Sequence, residues 1–369
     1  METLIAIENG DVLAGLRGFL RKLVESGVAE AVYVPMRADG GAITPALVSD
    51  PSWLDQADPL TPVMPINGAR AVSALTGKKS PARFAAVLRP CEARALVELV
   101  KLQQANLDGL TLITVDCPGT CDVKDYPADG FDLGAYLGQA SAGTDGAGLA
   151  LRDACQMCAQ PVYDGADVSF HIFGADLSAG IPVVLRDEIA ADLHLEEVPL
   201  GEAAGRRGPV LESLVGAHQT KRRAELDAIH KVLDSDGGIA SLFATCLRCH
   251  NCMTACPICY CKTCLFRSEA MFHAPEYFLH SARRKGATRL LSDTLLFQLT
   301  RMSHMAHSCV SCGMCSSACP VDIPVGVIFS AVGEQVQAAF SYHPGMDVKE
   351  PLPLITFKAD EWLEVGEAR

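Results

Sequence analysis

Half of the sixteen cysteines in this 369-residue chain repeat one spacing, Cys-x-x-Cys-x-x-Cys-x-x-x-Cys-Pro. In runs of this kind, three thiolates hold one [4Fe-4S] cluster and the fourth reaches a second cluster. We therefore predict that the fourth cysteine of each copy completes the set of the other copy. The first set is then Cys246, Cys249, Cys252 and Cys319, and the second set is Cys309, Cys312, Cys315 and Cys256.

The proline after each copy favours clusters over a zinc site. Pro257 and Pro320 end their loops and turn the chain, so that the fourth thiolate points away from the first three. A structural zinc site needs only one pair of Cys-x-x-Cys units and no trailing Cys-Pro. The spacing therefore indicates two clusters that carry single electrons. A zinc-based structural module is the alternative, and it predicts a colourless protein.

Four other cysteines could form a third cluster. Cys155 and Cys158 make a Cys-x-x-Cys, which could bind zinc, act as a redox dithiol or supply half of a cluster. Cys91 and Cys117 each follow a predicted strand and are candidates to complete that cluster. Cys121 competes with Cys91 for the fourth place, and an inert buried thiol is the alternative role of Cys91.

The last three cysteines stay unassigned. Cys259, Cys261 and Cys264 directly follow the first motif and could serve a fourth cluster with Cys121, or act as alternative ligands of the third. His304 and His307 precede the second motif and suggest no catalytic role. No Gly-x-Gly-x-x-Gly follows a strand, so the chain lacks a dinucleotide fingerprint. The basic stretch at 78–79 is interpreted as a solvated turn.

The elements that position Cys91 and Cys117 form a strand–helix–strand unit. Apolar runs predict strands over 84–88 and 110–115, with a helix after Arg89. Such units join parallel neighbours, so both cysteines should lie at the carboxyl edge of the sheet, where ligands bind in open α/β sheets. Upstream, we predict a helix over 11–26, a buried strand over 31–34 and a Pro-rich loop over 35–65.

The rest of the chain supplies helices and one more strand. We predict a Gly/Ala-rich loop over 138–150, a strand over 167–173, a helix over 209–234 and a linker over 234–238. Residues 265–308, between the twin motifs, have a largely helical pattern. The predicted fold is an α/β domain with parallel strands, followed by a mainly α ferredoxin-like domain that holds two [4Fe-4S] clusters. The predicted boundaries are 1–80 for an N-terminal α/β segment packed on the core, 81–235 for the α/β domain with the third cluster, 236–335 for the two-cluster domain with its helical insertion, and 336–369 for a C-terminal tail.

Composition limits the partners and the compartment. The net charge of −13 argues against nucleic acid, and no apolar window is long enough to span a membrane. Many cysteines without a signal peptide predict a reducing cytoplasm. Residues 240–330 hold eight Lys/Arg against four Asp/Glu. Basic side chains such as Arg248 and Arg301 would offset cluster charge and raise cluster potentials, and a basic docking face is the competing explanation.

Several segments resemble the β subunits of coenzyme F-420-reducing hydrogenase and of the related formate dehydrogenases. These segments lie between about residues 80 and 330 and read RPCEARALVELVKL, DCPG, CQMCAQPVYDGADVSFHIFG, CLRCHNCMTACPICYCKTC and RMSHMAHSCVSCGMCSSACPVDIP. The resemblance implies that the α/β domain binds FAD and a third [4Fe-4S] cluster. The third set that it implies is Cys91, Cys117, Cys155 and Cys158.

The resemblance also implies a place for FAD and a function. We expect FAD at the carboxyl edge of the sheet, with candidate contacts from Arg89, Pro90, Glu92, Arg94 and Asp116. The implied function is an oxidoreductase subunit in which FAD interconverts hydride transfer, from a deazaflavin or similar carrier, and single-electron transfer. Its partner would be the catalytic subunit of a formate dehydrogenase or hydrogenase, or heterodisulfide-reductase-like subunits. The alternative is a non-catalytic relay in a heterodisulfide-reductase-like complex. No side chain is nominated as an acid or base.

Overall fold

The computed structural model describes residues 1–7, 10–77, 82–127, 131–144, 148–178, 180–290 and 292–355, without the side chains of 202–204 and 354. The basic stretch at 78–79 lies outside these ranges. Residues 145–147 of the predicted Gly/Ala-rich loop and residues 356–369 of the predicted C-terminal tail also lie outside them.

The described strands form one mixed sheet. They are β1 (Glu2–Ile5), β2 (Ala31–Arg37), β3 (Ile43–Val48), β4 (Phe84–Leu88), β5 (Leu110–Val115), β6 (Val168–Phe170) and β7 (Ile181–Leu185). Their order is β1-β7-β6-β5-β4-β2-β3. β2, β4, β5 and β6 are parallel neighbours, whereas β1, β7 and β3 pair antiparallel at the two sides. The first 80 residues therefore share their sheet with the α/β region that follows.

Helices occupy both faces of the sheet and most of the C-terminal region. They are α1 (Val12–Glu25), α2 (Gly68–Thr76), α3 (Pro90–Lys101), α4 (Leu133–Ser141), α5 (Asp153–Gln156), α6 (Asp187–Asp192), α7 (Gly201–Leu233), α8 (Gly238–Leu242), α9 (Asn251–Ala255), α10 (Pro275–Lys285), α11 (Thr294–Met305), α12 (Met314–Ser317) and α13 (Val325–Ala339). Within the described ranges, none of them combines the length and apolar character that a bilayer crossing requires.

The predicted strand–helix–strand unit is confirmed. β4 and β5 have the predicted bounds, and α3 connects them as parallel neighbours. The helix predicted over 11–26 is α1, whose first turn is capped because the Asp11 side chain accepts from the Ala14 N–H. The mainly helical character of 265–308 is confirmed by α10 and α11.

The predictions of a loop over 35–65 and of a loop over 138–150 were wrong in part. The Pro-rich stretch 35–65 contains the end of β2 and all of β3, with Pro35 opposite Pro45. β3 is the edge strand, where proline's missing N–H leaves no ladder bond unmade. The Gly/Ala-rich stretch begins inside α4, which continues to Ser141 because Leu137 and Ala140 bury against the core.

Each face of the sheet carries an apolar layer, because successive strand residues point to opposite faces. In β4, Ala85 and Val87 join the layer of α1, whereas Ala86 and Leu88 join the layer of α3. The α3 layer continues without a break into the C-terminal helices, through residues such as Phe297. The helical region with the twin motifs is therefore packed onto the α3 face of the sheet.

Candidate iron–sulfur sites

The two motif loops follow the same backbone course. Arg248 and His250 in the first loop have φ of 52° and 66°, and Ser311 and Gly313 occupy the same positions in the second with 56° and 73°. Left-handed conformations are uncommon outside glycine, so their recurrence at matching positions is a shared structural device. A one-turn helix follows each loop, and these helices, α9 and α12, pack against each other.

The first set lines one cavity. Its four members, Cys246, Cys249, Cys252 and Cys319, all face this space. Burial raises the pKa of the Cys252 thiol, Arg301 lowers it, and the other three thiols of the set raise it again. The fourth cysteine thus comes from the other motif, in the grouping that the spacing predicts, and ligation itself stays a prediction.

Arg301 is the cation that contacts the first set most directly. It is only 3% exposed, and its Nη1 donates to Cys252 Sγ at 3.0 Å. The guanidinium lies 4.7 Å from the centroid of the Phe329 ring. A buried cation that donates to a thiolate sulfur suits a negatively charged iron–sulfur cluster better than a neutral apolar core.

The second set is also assembled across the two motifs. Burial raises the pKa of the Cys309, Cys312 and Cys315 thiols, that of Cys312 to about 12, and Cys256 raises all three further. Cys256 follows α9 of the first motif, so this grouping matches the exchange that the spacing predicts, and ligation again stays a prediction.

The four members of the third set, Cys91, Cys117, Cys155 and Cys158, line one cavity of about 160 Å³. Cys91 lies in the first turn of α3 and Cys117 directly after β5, so the carboxyl edge of the sheet presents both. Burial raises the pKa of Cys117 to about 12. Cys309 and Cys312 line the same cavity, so the second and third sets are adjacent.

Buried arginines surround the third set. Arg94 and Arg152 line its cavity and are 7% and 8% exposed. The Arg152 Nη2 lies 3.6 Å from Cys155 Sγ, which also accepts from the Thr120 N–H at 3.3 Å. Four thiols with N–H donors and buried cations fit a cluster whose total charge is negative. Sequence reasoning missed Arg152; its place shortly before the Cys-x-x-Cys segment was the available signal.

Cys121 lies elsewhere. Its Sγ donates to the Pro62 carbonyl at 3.4 Å, and its backbone bridges to Val63 and Leu151. It packs in a small apolar cluster and does not line the cavity of the third set. This placement favours Cys91 as the fourth member of that set.

Cys259, Cys261 and Cys264 line a separate cavity of about 300 Å³, together with His304. Burial raises the pKa of Cys259 to about 11, and the neighbouring thiols contribute. None of the three lines the cavities of the first and third sets.

The side chains predicted to contact FAD form hydrogen bonds within the protein. The Glu92 carboxylate accepts from the Gly68 N–H at 2.7 Å and from the Arg89 N–H at 2.8 Å. The Arg89 guanidinium donates to the carbonyls of Thr61 and Val63. These bonds fix the loop before Cys91, and both residues also line a crevice at the carboxyl edge of the sheet.

The other named residues are engaged in the same way. The Arg94 guanidinium donates to the Pro344 carbonyl at 2.9 Å. Asp116 forms a two-pronged ion pair with Arg207 and accepts from the Ile172 N–H at 2.8 Å. Pro90 offers no N–H and is buried at the start of α3. These contacts position the loops that present Cys91 and Cys117, and contact of the five residues with FAD stays a prediction.

All sixteen cysteines lie within the described ranges, and each is a free thiol. In the same ranges, no group of three or more His, Cys, Asp and Glu side chains is arranged to hold a single metal ion. A [4Fe-4S] cluster requires a wider spacing than one ion, because four irons separate its thiolates.

Comparison with known proteins agrees with the prediction of [4Fe-4S] clusters in the region of the two motifs. Residues 241–323 match the family model described as the 4Fe-4S dicluster domain, and this range contains both motifs. The chain is 23% identical over 301 residues to the F420-dependent formate dehydrogenase subunit beta of Methanocaldococcus jannaschii. It is 24% identical over 306 residues to the F420-dependent formate dehydrogenase 1 subunit beta of Methanococcus maripaludis. Each alignment covers 73% of this chain and 75% of the relative.

Among solved structures, a chain of the F420-reducing [NiFe] hydrogenase complex from Methanosarcina barkeri aligns with a TM-score of 0.44 and 12% identity, over 64% of this chain and 92% of that one. The predicted resemblance is confirmed by the sequence relatives, which are named as subunits of an oxidoreductase. The chain is therefore similar to the β subunits of F420-dependent formate dehydrogenase, and residues 241–323 match a 4Fe-4S dicluster domain.

Proposed function

We propose that the chain is an iron–sulfur flavoprotein subunit of a formate dehydrogenase or hydrogenase complex. In this role, FAD would interconvert hydride transfer, from a deazaflavin or similar carrier, and the single-electron transfer that [4Fe-4S] clusters supply. The observation that carries the proposal is the grouping of twelve cysteines into three sets of four. The names of the relatives supply the complex and the carrier.

The order of the three sets supports a relay. The third set shares its cavity with Cys309 and Cys312 of the second set. The second set meets the first at α9, because Cys252 and Cys256 lie within and just after that helix. Two buried arginines place positive charge beside the cysteines: Arg152 donates to Cys155 of the third set, and Arg301 donates to Cys252 of the first set. Both cations would stabilise the reduced, more negative state of a cluster.

The crevice at the carboxyl edge of the sheet is one candidate place for the flavin, and the other is a groove of about 580 Å³. It is lined by Arg70, Tyr260 and Lys262, beside the ends of α2 and α3. Its volume lies in the range of cofactor sites. The Lys262 ammonium suits a pyrophosphate and the Tyr260 ring suits stacking on a flat heterocycle, whereas the Arg70 guanidinium already donates to the Thr254 carbonyl. FAD is proposed to occupy this groove, and Lys262→Ala is expected to lower the flavin content of the purified protein.

The second candidate is a relay subunit of a heterodisulfide-reductase-like complex that binds no flavin. The engagement of Arg89, Glu92 and Asp116 by protein groups favours it, because these side chains are not free at the sheet edge. In that role the three sets of cysteines keep the same function.

One experiment separates the candidates. The chain is purified without oxygen, and its iron, zinc and FAD contents are measured before reduced deazaflavin is added. The main proposal predicts at least about twelve iron atoms, four for each cluster, with FAD bound and the clusters reduced. The relay predicts the same iron without FAD and without reduction by the carrier. A colourless protein that contains zinc contradicts both.

A further inference from the structure

Three thiols and one imidazole that the three sets leave unused share a cavity. Cys259, Cys261, Cys264 and His304 line a space of about 300 Å³. The cysteines lie on the turn after α9, whereas His304 lies in the last turn of α11. Two elements far apart in sequence thus bring four donor side chains to one place. This convergence is not explained by the motif spacing, which is complete without these residues.

We propose that this cavity holds a fourth iron–sulfur cluster, with Cys259, Cys261 and Cys264 as thiolate ligands and His304 as the fourth ligand. Imidazole can replace thiolate on cluster iron, and the replacement raises the reduction potential. The cluster goes beyond the proposed function, which needs only the other three sets. Cys121, the alternative partner considered from the sequence, lies in a different apolar cluster and is excluded.

The charges around the cavity suit such a cluster. Arg70, Lys262, Arg267 and Arg301 line it, and the described residues that line it include no Asp or Glu. A cluster with three thiolates and a neutral imidazole is negative, with one negative charge fewer than a cluster with four thiolates. An anionic cluster in this cavity would lower the mutual repulsion of the four cations that line it.

The cavity also lies beside the existing sets. Cys259 N–H donates to the carbonyl of Cys256, a member of the second set, at 3.3 Å. Arg301 lines this cavity and donates to Cys252 of the first set. A cluster here would therefore adjoin both sets and extend the relay toward the groove of Arg70 and Lys262.

The test uses the full chain, reconstituted with iron and sulfide without oxygen. We expect about sixteen iron atoms in the unaltered chain and about four fewer in the Cys261→Ala/Cys264→Ala double variant. Cys121→Ala is the matched control and should keep all of its iron. About twelve iron atoms in the unaltered chain, unchanged in the double variant, would overturn the fourth cluster alone. Loss of all iron from the unaltered chain would instead overturn the proposed function.

A second variant keeps the proposal testable if the double variant folds poorly. His304→Cys should keep about sixteen iron atoms and abolish the nitrogen hyperfine coupling that pulsed EPR detects on one reduced cluster. His280→Ala, an exposed residue on α10, should leave that coupling unchanged. Absence of nitrogen coupling from the unaltered chain, or zinc in this cavity, would contradict the assignment of His304.

Discussion

Arg301 is the side chain through which the protein acts most directly on a cluster ligand. Its guanidinium is buried, donates to Cys252 Sγ at 3.0 Å and also binds the Cys252 carbonyl at 3.2 Å. Hydrogen bonds and positive charge near cluster sulfurs raise the reduction potential, because they stabilise the added electron. The sequence suggested a charge-offsetting role for Arg301 but could not reveal its partner.

Replacing Arg301 should therefore lower a potential. Arg301→Gln removes the charge and is expected to shift the first cluster downward by on the order of 60 mV, one tenfold change in a one-electron equilibrium. A redox titration followed by EPR measures the shift. Arg283→Gln, exposed on α10, is the matched control. An unchanged or raised potential in the Arg301 variant would contradict this role.

Cys91 and Cys121 are equivalent candidates by spacing but not by position. Cys91 lines the cavity of the third set, whereas Cys121 is fixed by backbone bridges to Val63 and Leu151. Those bridges join residues far apart in sequence, and spacing within one segment cannot reveal them. The structure thus separates two thiols that the sequence left as alternatives.

Alanine at each position tests the separation. Cys91→Ala should lose about four iron atoms for each chain, the content of one cluster, and Cys121→Ala should lose none. Iron and acid-labile sulfide assays of the anaerobic proteins measure both. The opposite pattern, with iron lost only from the Cys121 variant, would give the third set a different fourth member.

At the scale of elements, the second motif loop is pressed against α5, which carries Cys155. Gly313 has φ of +73°, and a Cβ at this position would overlap the Cβ of Ala154. The contact brings the loop of Cys312 next to the helix of the third set. The proximity of these two sets therefore depends on one residue without a side chain.

Gly313→Ala should displace this loop and weaken both sets. We expect overpacking to lower the free energy of unfolding by about 1–3 kcal/mol, in addition to the left-handed strain that any side chain meets at this φ, together with lower iron content. Gly286→Ala is the matched control, because Gly286 has φ of +80° and no atom lies within 4 Å of the position that a Cβ would take there. It should cost only the left-handed strain, about 1–2 kcal/mol. Denaturant unfolding and iron assays compare the two, and equal iron contents would contradict the role of this contact.

The helices and strands that could be predicted from the sequence are those with a clear local pattern of apolar residues. β4, β5 and α3 were predicted because uninterrupted apolar runs and a clear helical period mark them. Only the first part of β2, over 31–34, was predicted from the β2–β3 hairpin, because the prolines that follow argue against strands unless the edge position is known. β1 and β7 pair with each other although most of the α/β region lies between them in sequence, and no local pattern predicts that pairing.

At the scale of the whole molecule, α3 joins the sheet to the helical region. Glu98 on α3 is fully buried and accepts from the Tyr342 hydroxyl at 2.5 Å and from the Gly345 N–H at 2.8 Å. Arg94, one turn earlier, donates to the Pro344 carbonyl. These hydrogen bonds hold residues 342–345, which follow α13, beside the cavity of the third set, and Pro344 also lines that cavity.

Tyr342→Phe removes one of these bonds and leaves a buried carboxylate with one donor fewer. The expected decrease in the free energy of unfolding is about 1–3 kcal/mol. Tyr277→Phe, on the exposed side of α10, is the matched control and should change it by less than about 0.5 kcal/mol. Denaturant unfolding measures both variants, and equal free energies of unfolding would contradict a stabilising role for the hydrogen bond between Tyr342 and Glu98.

The predictable part of the site is the part encoded by spacing. Twin motifs specify eight cysteines and their exchange, and the structure groups them in that way. The residues named for FAD came from resemblance alone. Their actual partners, such as Arg207 for Asp116, lie far along the chain, so the segment could not reveal that they were already engaged.

The most direct test is an anomalous difference map at the iron absorption edge, from crystals of the chain purified without oxygen. We expect iron density enclosed by the first set, by the second set and by the third, with Cys319 and Cys256 each bound to the cluster of the opposite motif. Density that places all four cysteines of one motif on the same cluster, zinc in place of iron, or no metal at these thiols would contradict the exchange of ligands between the two motifs.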